Sequence, residues 1–390
     1  MIIPRLAIRN ILGAGLRTWL NVVVLSFSFV AIIWMQGVYI GMGEQATHAM
    51  VDAEIAGGQY WHANYDPYNP LTLPDAHGVI PSQLQQMIDI NQATPILVLQ
   101  GSIYPEGRFL PVLIKGIDPE QNILSIPSNV FNQTEAELPA LIGSRMARNT
   151  GLNIGDNVTL RWRDTNGTFD ARDIQIVQIM NTSVPTIDQG QIWLPLPVIQ
   201  ALSGMPNEAS LIVVAKNTEN FPKISGWVIK DLDFLLEDIK ALVRSKTSGA
   251  SIFYVVLMAL AMLAIFNTQV LSIFRRKKEM GTLMALGFTR PKVIQLFTFE
   301  GAIHAVLAAI VAAIYGIPLL VTSAKNGWTL PMAVDDYGIA IGEKIFPTYS
   351  VGLILGTTLL ILITTTIVSF LPTRKISKLK PTEALRGRIT

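Results

Sequence analysis

The chain has 390 residues, half of them hydrophobic and only 15% charged, with a mean hydropathy of +0.41. A soluble domain carries about 25% charged residues, so an ordinary soluble protein is excluded. The formal charge of +2 says little by itself, and the absence of cysteine excludes disulfides, thiolate metal sites, cysteine nucleophiles and a lipidated N-terminal cysteine.

The apolar residues collect in long runs. A bilayer core needs about 20 apolar residues in one helix, because unpaired backbone groups are costly in hydrocarbon. Thr18 to Gly43, Ala250 to Phe274 and Val351 to Leu371 hold no charged residue, and Gly301 to Ser323 carries only His304. Each run predicts a membrane span, with Gly316 and Pro318 set to bend the third. The first run exceeds a signal-peptide core and lacks a small-x-small cleavage site, so it reads as a retained helix.

Lys and Arg near the span ends set the orientation. Arg5, Arg9 and Arg17 precede the first span, Arg275 to Lys278 with Arg290 and Lys292 separate the second from the third, and Arg374, Lys375, Lys378, Lys380, Arg386 and Arg388 follow the fourth. Both termini and the middle loop are therefore expected in the cytoplasm, with the long segment between the first two spans outside.

That segment, about 200 residues from Glu44 to Lys246, is long enough for a real core. Pro81 opens a short predicted helix. Ile96 to Ser102 and Phe109 to Gly116 read as a hairpin across Tyr104-Pro-Glu-Gly107, and Asn157 to Arg163 pairs with Ala171 to Met180 across Asp164-Thr-Asn-Gly167. Gln191 to Leu194, a helix over Leu196 to Leu202 and Leu211 to Ala215 continue an α+β pattern. His48, His62 and His77 lack metal-ligand spacing, and no nucleophile elbow occurs. Tyr60, Trp61, Tyr65 and Tyr68 line an apolar groove or simply pack near the membrane. No catalytic, metal or cofactor-binding residues are expected.

A Gly-x4-Gly-Lys-Ser/Thr loop is absent, so any use of ATP needs a partner that binds it. Glu300 and His304, one turn apart, read either as a pair snorkelling to headgroups or as a proton relay. Between them and the second span, Met280, Leu283, Met284 and Leu286 recur at helical spacing after a basic cluster. Gly287 suits the end of that helix and Pro291 the start of the next. Such a helix fits a groove on a soluble partner, or its cations bind lipid headgroups.

Glu279-Met-Gly-Thr-Leu-Met-Ala-Leu-Gly287 resembles the coupling-helix motif of FtsX/MacB-type (type VII) ABC transporter permeases. Leu371-Pro-Thr-Arg-Lys-Ile-Ser-Lys-Leu-Lys-Pro-Thr-Glu-Ala-Leu-Arg386 resembles their C-terminal signature, and Leu6-Ala-Ile-Arg-Asn10 their start. Lys115-Gly-Ile-Asp-Pro119 and Ile142 to Asp156 also look familial. The resemblance implies an α-helical membrane protein with four transmembrane helices plus one large α+β extracytoplasmic domain. Its division is a cytoplasmic amphipathic helix (1–17), a first span (18–43), the periplasmic domain (44–248), a second span (249–274), a coupling segment (275–298), a third span (299–323), a short periplasmic loop (324–348), a fourth span (349–372) and a basic tail (373–390).

By the same resemblance the chain is not an enzyme. It sits in a bacterial inner membrane, pairs with a second permease copy or paralogue, and contacts an ABC ATPase dimer that uses ATP and Mg through Glu279, Met280, Gly281, Leu283, Met284, Leu286 and Gly287. Membrane lipids are partners and nucleic acid is not. Size and the stretch Ala56-Gly-Gly-Gln-Tyr-Trp-His62 resemble the LolC/LolE lipoprotein-releasing permeases, which implies lipoprotein cargo, a periplasmic chaperone and acyl-chain contacts at Trp34, Met35, Val38 and Tyr39. Two other readings stay open: a permease for efflux of peptides or drugs or for mechanotransmission to an envelope protein, and an ATP-independent anchored binding or sensor protein.

Overall fold

A computed structural model describes residues 15–329 and 344–374, apart from 183, 217, 219 and 220, together with Ala7. The expected helix over 1–17, most of the loop over 324–348 and nearly all of the tail over 373–390 lie outside the described residues. The described chain divides into two compact units, one holding four long helices and the other spanning Gly43–Leu242.

Helix α1 (Leu16–Met50) continues into a π-helical turn, Val51–Ile55. The α+β unit then contributes β1 (Gly58–His62), β2 (Gly78–Val79), α2 (Ser82–Asp89), β3 (Ala93–Ile103), β4 (Leu110–Ile117), β5 (Pro139–Gly143), α3 (Ser144–Thr150), β6 (Asn157–Arg163) and β7 (Phe169–Met180). It closes with α4 (Pro185–Gly190), β8 (Gln191–Pro195), α5 (Leu196–Ser203), β9 (Glu208–Ala209), β10 (Leu211–Val214), β11 (Trp227–Lys230) and α6 (Leu232–Leu235). Helices α7 (Glu237–Arg275), α8 (Lys277–Ala285), α9 (Arg290–Asn326) and α10 (Val351–Thr373) follow.

Nine strands form one sheet in the order β11-β1-β10-β3-β4-β8-β5-β7-β6. The pairs β4–β8 and β5–β7 are parallel, and β6 also pairs with the far end of β3 through Gly101 to Ile103. Alternation along the strands sends Leu97, Leu99, Ile114, Ile192 and Leu194 into a core shared with Met146, Trp162 and Ile199. Tyr60, Ile212 and Val214 join Leu84 of α2 and Trp227 in a second core. The β6–β7 hairpin turns as its sequence predicts: the Asp164 carboxylate accepts from the N–H groups of Asn166 and Thr168, and Gly167 takes φ +80°.

Helices α1, α7, α9 and α10 are each long and apolar enough to cross a membrane. Three of them outrun the predicted spans. Helix α1 runs on to Met50, α7 begins at Glu237 and α9 at Arg290, because polar turns extend a helix wherever no breaker interrupts the i→i−4 ladder. Phe27, Ile252, Ile314 and Leu355 point outward and stay exposed, as lipid-facing side chains do.

Inside this bundle Val22, Leu25 and Phe29 of α1 meet Met262 and Ile265 of α7, Ala305, Ala308 and Ala312 of α9, and Ile361 of α10. Small residues set the spacing, since van der Waals packing rather than the hydrophobic effect holds helices together in lipid. A Cβ on Gly301 would lie 2.3 Å from Ser369 Cβ, and one on Gly316 2.6 Å from Val30 Cγ2. Interhelical hydrogen bonds join Asn21 to Thr268 and Thr357 to Gln36, each at 2.9 Å, at about 0.6 kcal/mol apiece.

Candidate functional site

Among the described residues, a short helix and a cavity each combine specific geometry with accessible surface. The first is the short helix α8. Its N-terminal side is fixed by Arg276, whose Nη1 donates to both Glu300 carboxylate oxygens at 3.0 and 3.1 Å and whose Nε donates to Glu279 at 2.6 Å. The guanidinium also lies 5.1 Å from the Phe297 ring centre. Glu300 is 4% exposed, so this is a buried, charge-assisted contact in which one guanidinium nitrogen bridges both carboxylate oxygens. His304 sits one turn further along α9, buried, with Nδ1 2.6 Å from the Glu300 carbonyl oxygen. The Glu300 carboxylate thus anchors the loop through Arg276, buried instead of snorkelling to headgroups, and His304 meets the Glu300 backbone carbonyl.

Met280 closes the inner side of α8 by packing with Ile273, Val293 and Phe297. The helix stops at Ala285. Gly287 adopts φ +93°, a left-handed geometry that favours glycine, and its N–H donates to the Met284 carbonyl. Helix α9 then starts with Pro291 in its first turn. Leu286 is left 76% exposed.

The second place is a cavity of about 450 Å³ in the α+β unit. Its floor is the sheet face opposite the two cores: Gln59 and Trp61 of β1, Leu211 and Val213 of β10, Ile96 and Val98 of β3, Leu113 and Lys115 of β4, and Gln191 and Trp193 of β8. Strand register places these side by side, with Trp61 opposite Leu211, Leu211 opposite Ile96, Val98 opposite Lys115, and Lys115 opposite Trp193.

Tyr65, Tyr68 and Phe234 form part of its wall. Trp61 meets Tyr65 and Phe234 edge-on at 5.3 and 5.9 Å, and the Tyr68 hydroxyl donates to Asp238. Burial, then the Glu54 and Asp66 charges, raise the Tyr65 phenol above its ordinary range. The bond to Asp238, followed by burial, pushes Tyr68 up to about 12. Both phenols stay neutral. At the β8 end Lys115 Nζ lies 2.5 Å from Glu54 Oε1 and 5.1 Å from the Trp193 ring centre, tying the π-helical turn to the sheet.

Residues 251–381 match the FtsX-like permease C-terminal family. An uncharacterized ABC transporter permease of Methanocaldococcus jannaschii is 27% identical over 235 residues, which is 55% of this chain and 55% of that one. The macrolide export ATP-binding/permease protein MacB of Syntrophobacter fumaroxidans is 27% identical over 40% of this chain and 20% of its own length. The Neisseria meningitidis MacB is 22% identical over 56% of this chain and 34% of its own. Residues 251–381 are thus an FtsX-like permease domain, and the chain is similar to ABC transporter permeases of the FtsX/MacB type.

The chain spans about half the length of the first of these relatives and less of the others. The match to a solved extracellular domain of the noncanonic ABC-type transporter YknZ from Gram-positive bacteria covers 42% of this chain and 84% of that domain, with 11% identity and a TM-score of 0.26.

The matched family region contains all of α8. Of the seven residues expected to meet an ATPase, Glu279, Leu286 and Gly287 are exposed, Leu283 and Met284 half-buried, and Met280 and Gly281 buried within the permease. Trp34, Met35, Val38 and Tyr39 are half-buried, with Trp34 edge-on to Trp328 at 5.1 Å. Of the four aromatic residues considered for a groove, Trp61, Tyr65 and Tyr68 line the cavity, whereas Tyr60 faces the core. Among the described residues no cluster of metal-ligating side chains occurs.

Sequence reasoning missed Arg276 as an anchor and Glu54, Gln191 and Trp193 as cavity residues. A signal existed for the cavity: Lys115 is the one charge in the apolar run Phe109 to Gly116.

Proposed function

We propose that this permease carries motion from an ATPase dimer in the cytoplasm to its α+β domain outside the membrane. The observation that carries the reading is α8, a short helix held to α9 by the Arg276–Glu300 ion pair with Leu286 presented to solvent. A push on a helix fixed in this way passes to α9 instead of being absorbed by a loose loop. Nucleotide binding on the partner then biases two arrangements of otherwise rigid parts. The chain acts as a dimer with a second permease, and ATP and Mg belong to the partner.

For cargo we propose lipoproteins drawn from the outer leaflet and passed to a soluble chaperone, with Trp34, Met35, Val38 and Tyr39 contacting acyl chains. These four recur along one stretch of α1 and are only half-buried, which leaves room for lipid beside them. A second reading, export of a small hydrophobic compound, is favoured by the likeness to the two proteins named for macrolide export.

Affinity purification of the tagged permease from its native membrane tests the coupling, with an ATPase subunit as the expected companion; its reproducible absence would leave the anchored-sensor reading in place. Depletion of the permease separates the cargoes. Lipoproteins accumulating in the inner membrane support release, whereas unchanged lipoproteins with heightened sensitivity to macrolides support export.

A further inference from the structure

The cavity over β1, β10, β3, β4 and β8 has the construction of a ligand site. Its volume of about 450 Å³ lies within the ~300–1,000 Å³ of small-molecule pockets, far above the water-sized voids of a close-packed interior. Ile96, Val98, Leu113, Leu211 and Val213 make an apolar floor, and Trp61 closes the β1 side.

The polar groups gather at the β8 end, and their bonding is incomplete in a specific way. Glu54 and Lys115 neutralise each other. Gln191 Nε2 donates to the same Glu54 oxygen at 3.4 Å, which leaves Gln191 Oε1 as an acceptor with no partner, and Trp193 Nε1 is a donor with none. Both residues line the cavity, and they are 4% and 1% exposed. Buried donors and acceptors are satisfied in the great majority of cases, so two orphans of opposite kind, two residues apart on one strand face, call for a group that offers both functions.

We propose that the α+β domain binds one molecule of an uncharged long-chain amphiphile, its tail on the apolar floor and its head between Gln191 and Trp193. The head donates to Gln191 Oε1 and accepts from Trp193 Nε1, as a simple fatty amide does. Charge excludes the near relatives. A carboxylate head has no proton to donate to Gln191 Oε1 and an ammonium head no lone pair to accept from Trp193 Nε1, so each leaves one orphan unmet and adds a net charge beside a balanced pair in a poorly solvated place. The inference goes beyond the coupling role and needs no ATPase, so it stands or falls separately from what α8 contacts.

The test uses the full-length permease in lipid nanodiscs with dodecanamide carrying a diazirine at the chain end. Irradiation and peptide mapping should give saturable labelling within β1, β3, β4 and the 65–73 and 234–239 segments, above the lipid-phase labelling of α9 and α10. Unlabelled dodecanamide should compete at a concentration about tenfold below that needed for laurate or dodecylamine. Trp193→Phe keeps the ring and removes only the N–H, and Gln191→Leu removes the acceptor; each should cut cavity labelling about fivefold, the worth of one neutral hydrogen bond, while labelling of α9 and α10 stays constant. Leu113→Trp, which fills the floor, should abolish it. The proposal is overturned by labelling confined to the membrane helices, by equal competition from the two charged analogues, or by cavity labelling in all three variants at the wild-type level.

Discussion

Arg276 shows how one side chain decides what its neighbours are for. Read along the sequence it is one of four consecutive cations, indistinguishable from the others as a headgroup contact. In the fold it reaches back across the loop to a carboxylate buried on α9, and no periodicity predicts a bond between residues 24 positions apart. Removing one partner of a buried pair strands the other charge, which costs about 3–5 kcal/mol for full burial. Arg276 is 22% exposed on its side chain, so the lower end applies. Arg276→Met should destabilise the loop and α9 by about 3 kcal/mol, and the double variant Arg276→Met with Glu300→Leu should regain most of that. Thermal unfolding in nanodiscs, run as a double-mutant cycle, checks this; a double variant as unstable as the single one contradicts the ion-pair account.

His62 offers a second test at this scale. Burial, then the neighbouring His77, hold its pKa below the ordinary 6.5, with Glu208 pulling the other way. Its Nδ1 accepts from the Asn64 N–H at 3.4 Å, a bond that the neutral ring makes. The folded state therefore binds fewer protons than the unfolded chain in the window just below pH 6.5. His62 contributes its stability above that value and loses it as the pH falls through the depressed folded pKa. Stability of the permease should drop between about pH 7 and 5, and His62→Asn should flatten that part of the profile. An unchanged slope in the variant would remove His62 as the cause. The spatial approach of His62 to His77 had no counterpart in their fifteen-residue separation.

At the scale of elements, the features readable in advance were those set by local chemistry. Apolar runs without charge became membrane helices, and hairpins formed where turn residues interrupted alternating strands. The order of strands was not readable, because β8 pairs with β4 across more than seventy residues and the choice rests on which faces can be buried together. The cavity inherits that difficulty, since its floor comes from five strands scattered between Gly58 and Val214. For α8 the helix and its ends were legible from Gly287 and Pro291, yet the orientation of its faces was not. Spacing alone made Met280 and Leu286 equivalent; packing buries the first and exposes the second. The double substitution of Leu283 and Leu286 by Glu should accordingly abolish association with the ATPase while insertion and thermal stability stay close to wild type, since neither residue is in the α8 core that Met280 forms. Normal assembly of the complex in that variant, judged by co-purification, would make another surface the contact.

For the molecule as a whole, the proposed coupling requires α8 and the α+β domain to face different compartments, and the charge distribution predicts that they do. Moving Lys and Arg across a bilayer is opposed during insertion, so the side with the excess of cations near the spans stays inside. Arg275 and Arg276 precede α8 and Lys277 and Lys278 open it, whereas the last turn of α9 and the segment after it mix Lys325 and Lys344 with Asp335, Asp336 and Glu343. A chain without cysteine is a clean background for mapping this by thiol labelling. Leu286→Cys places a thiol on the exposed end of α8, and Phe169→Cys places one on the exposed start of β7. In intact cells with a permeable outer layer, a membrane-impermeant maleimide should label Cys at 169 and spare Cys at 286. In inverted inner-membrane vesicles the pattern should reverse. Labelling of both positions from one side would leave an ATPase on the same side as the α+β domain, and transmission of force across the bilayer would have no role for the four spans to play.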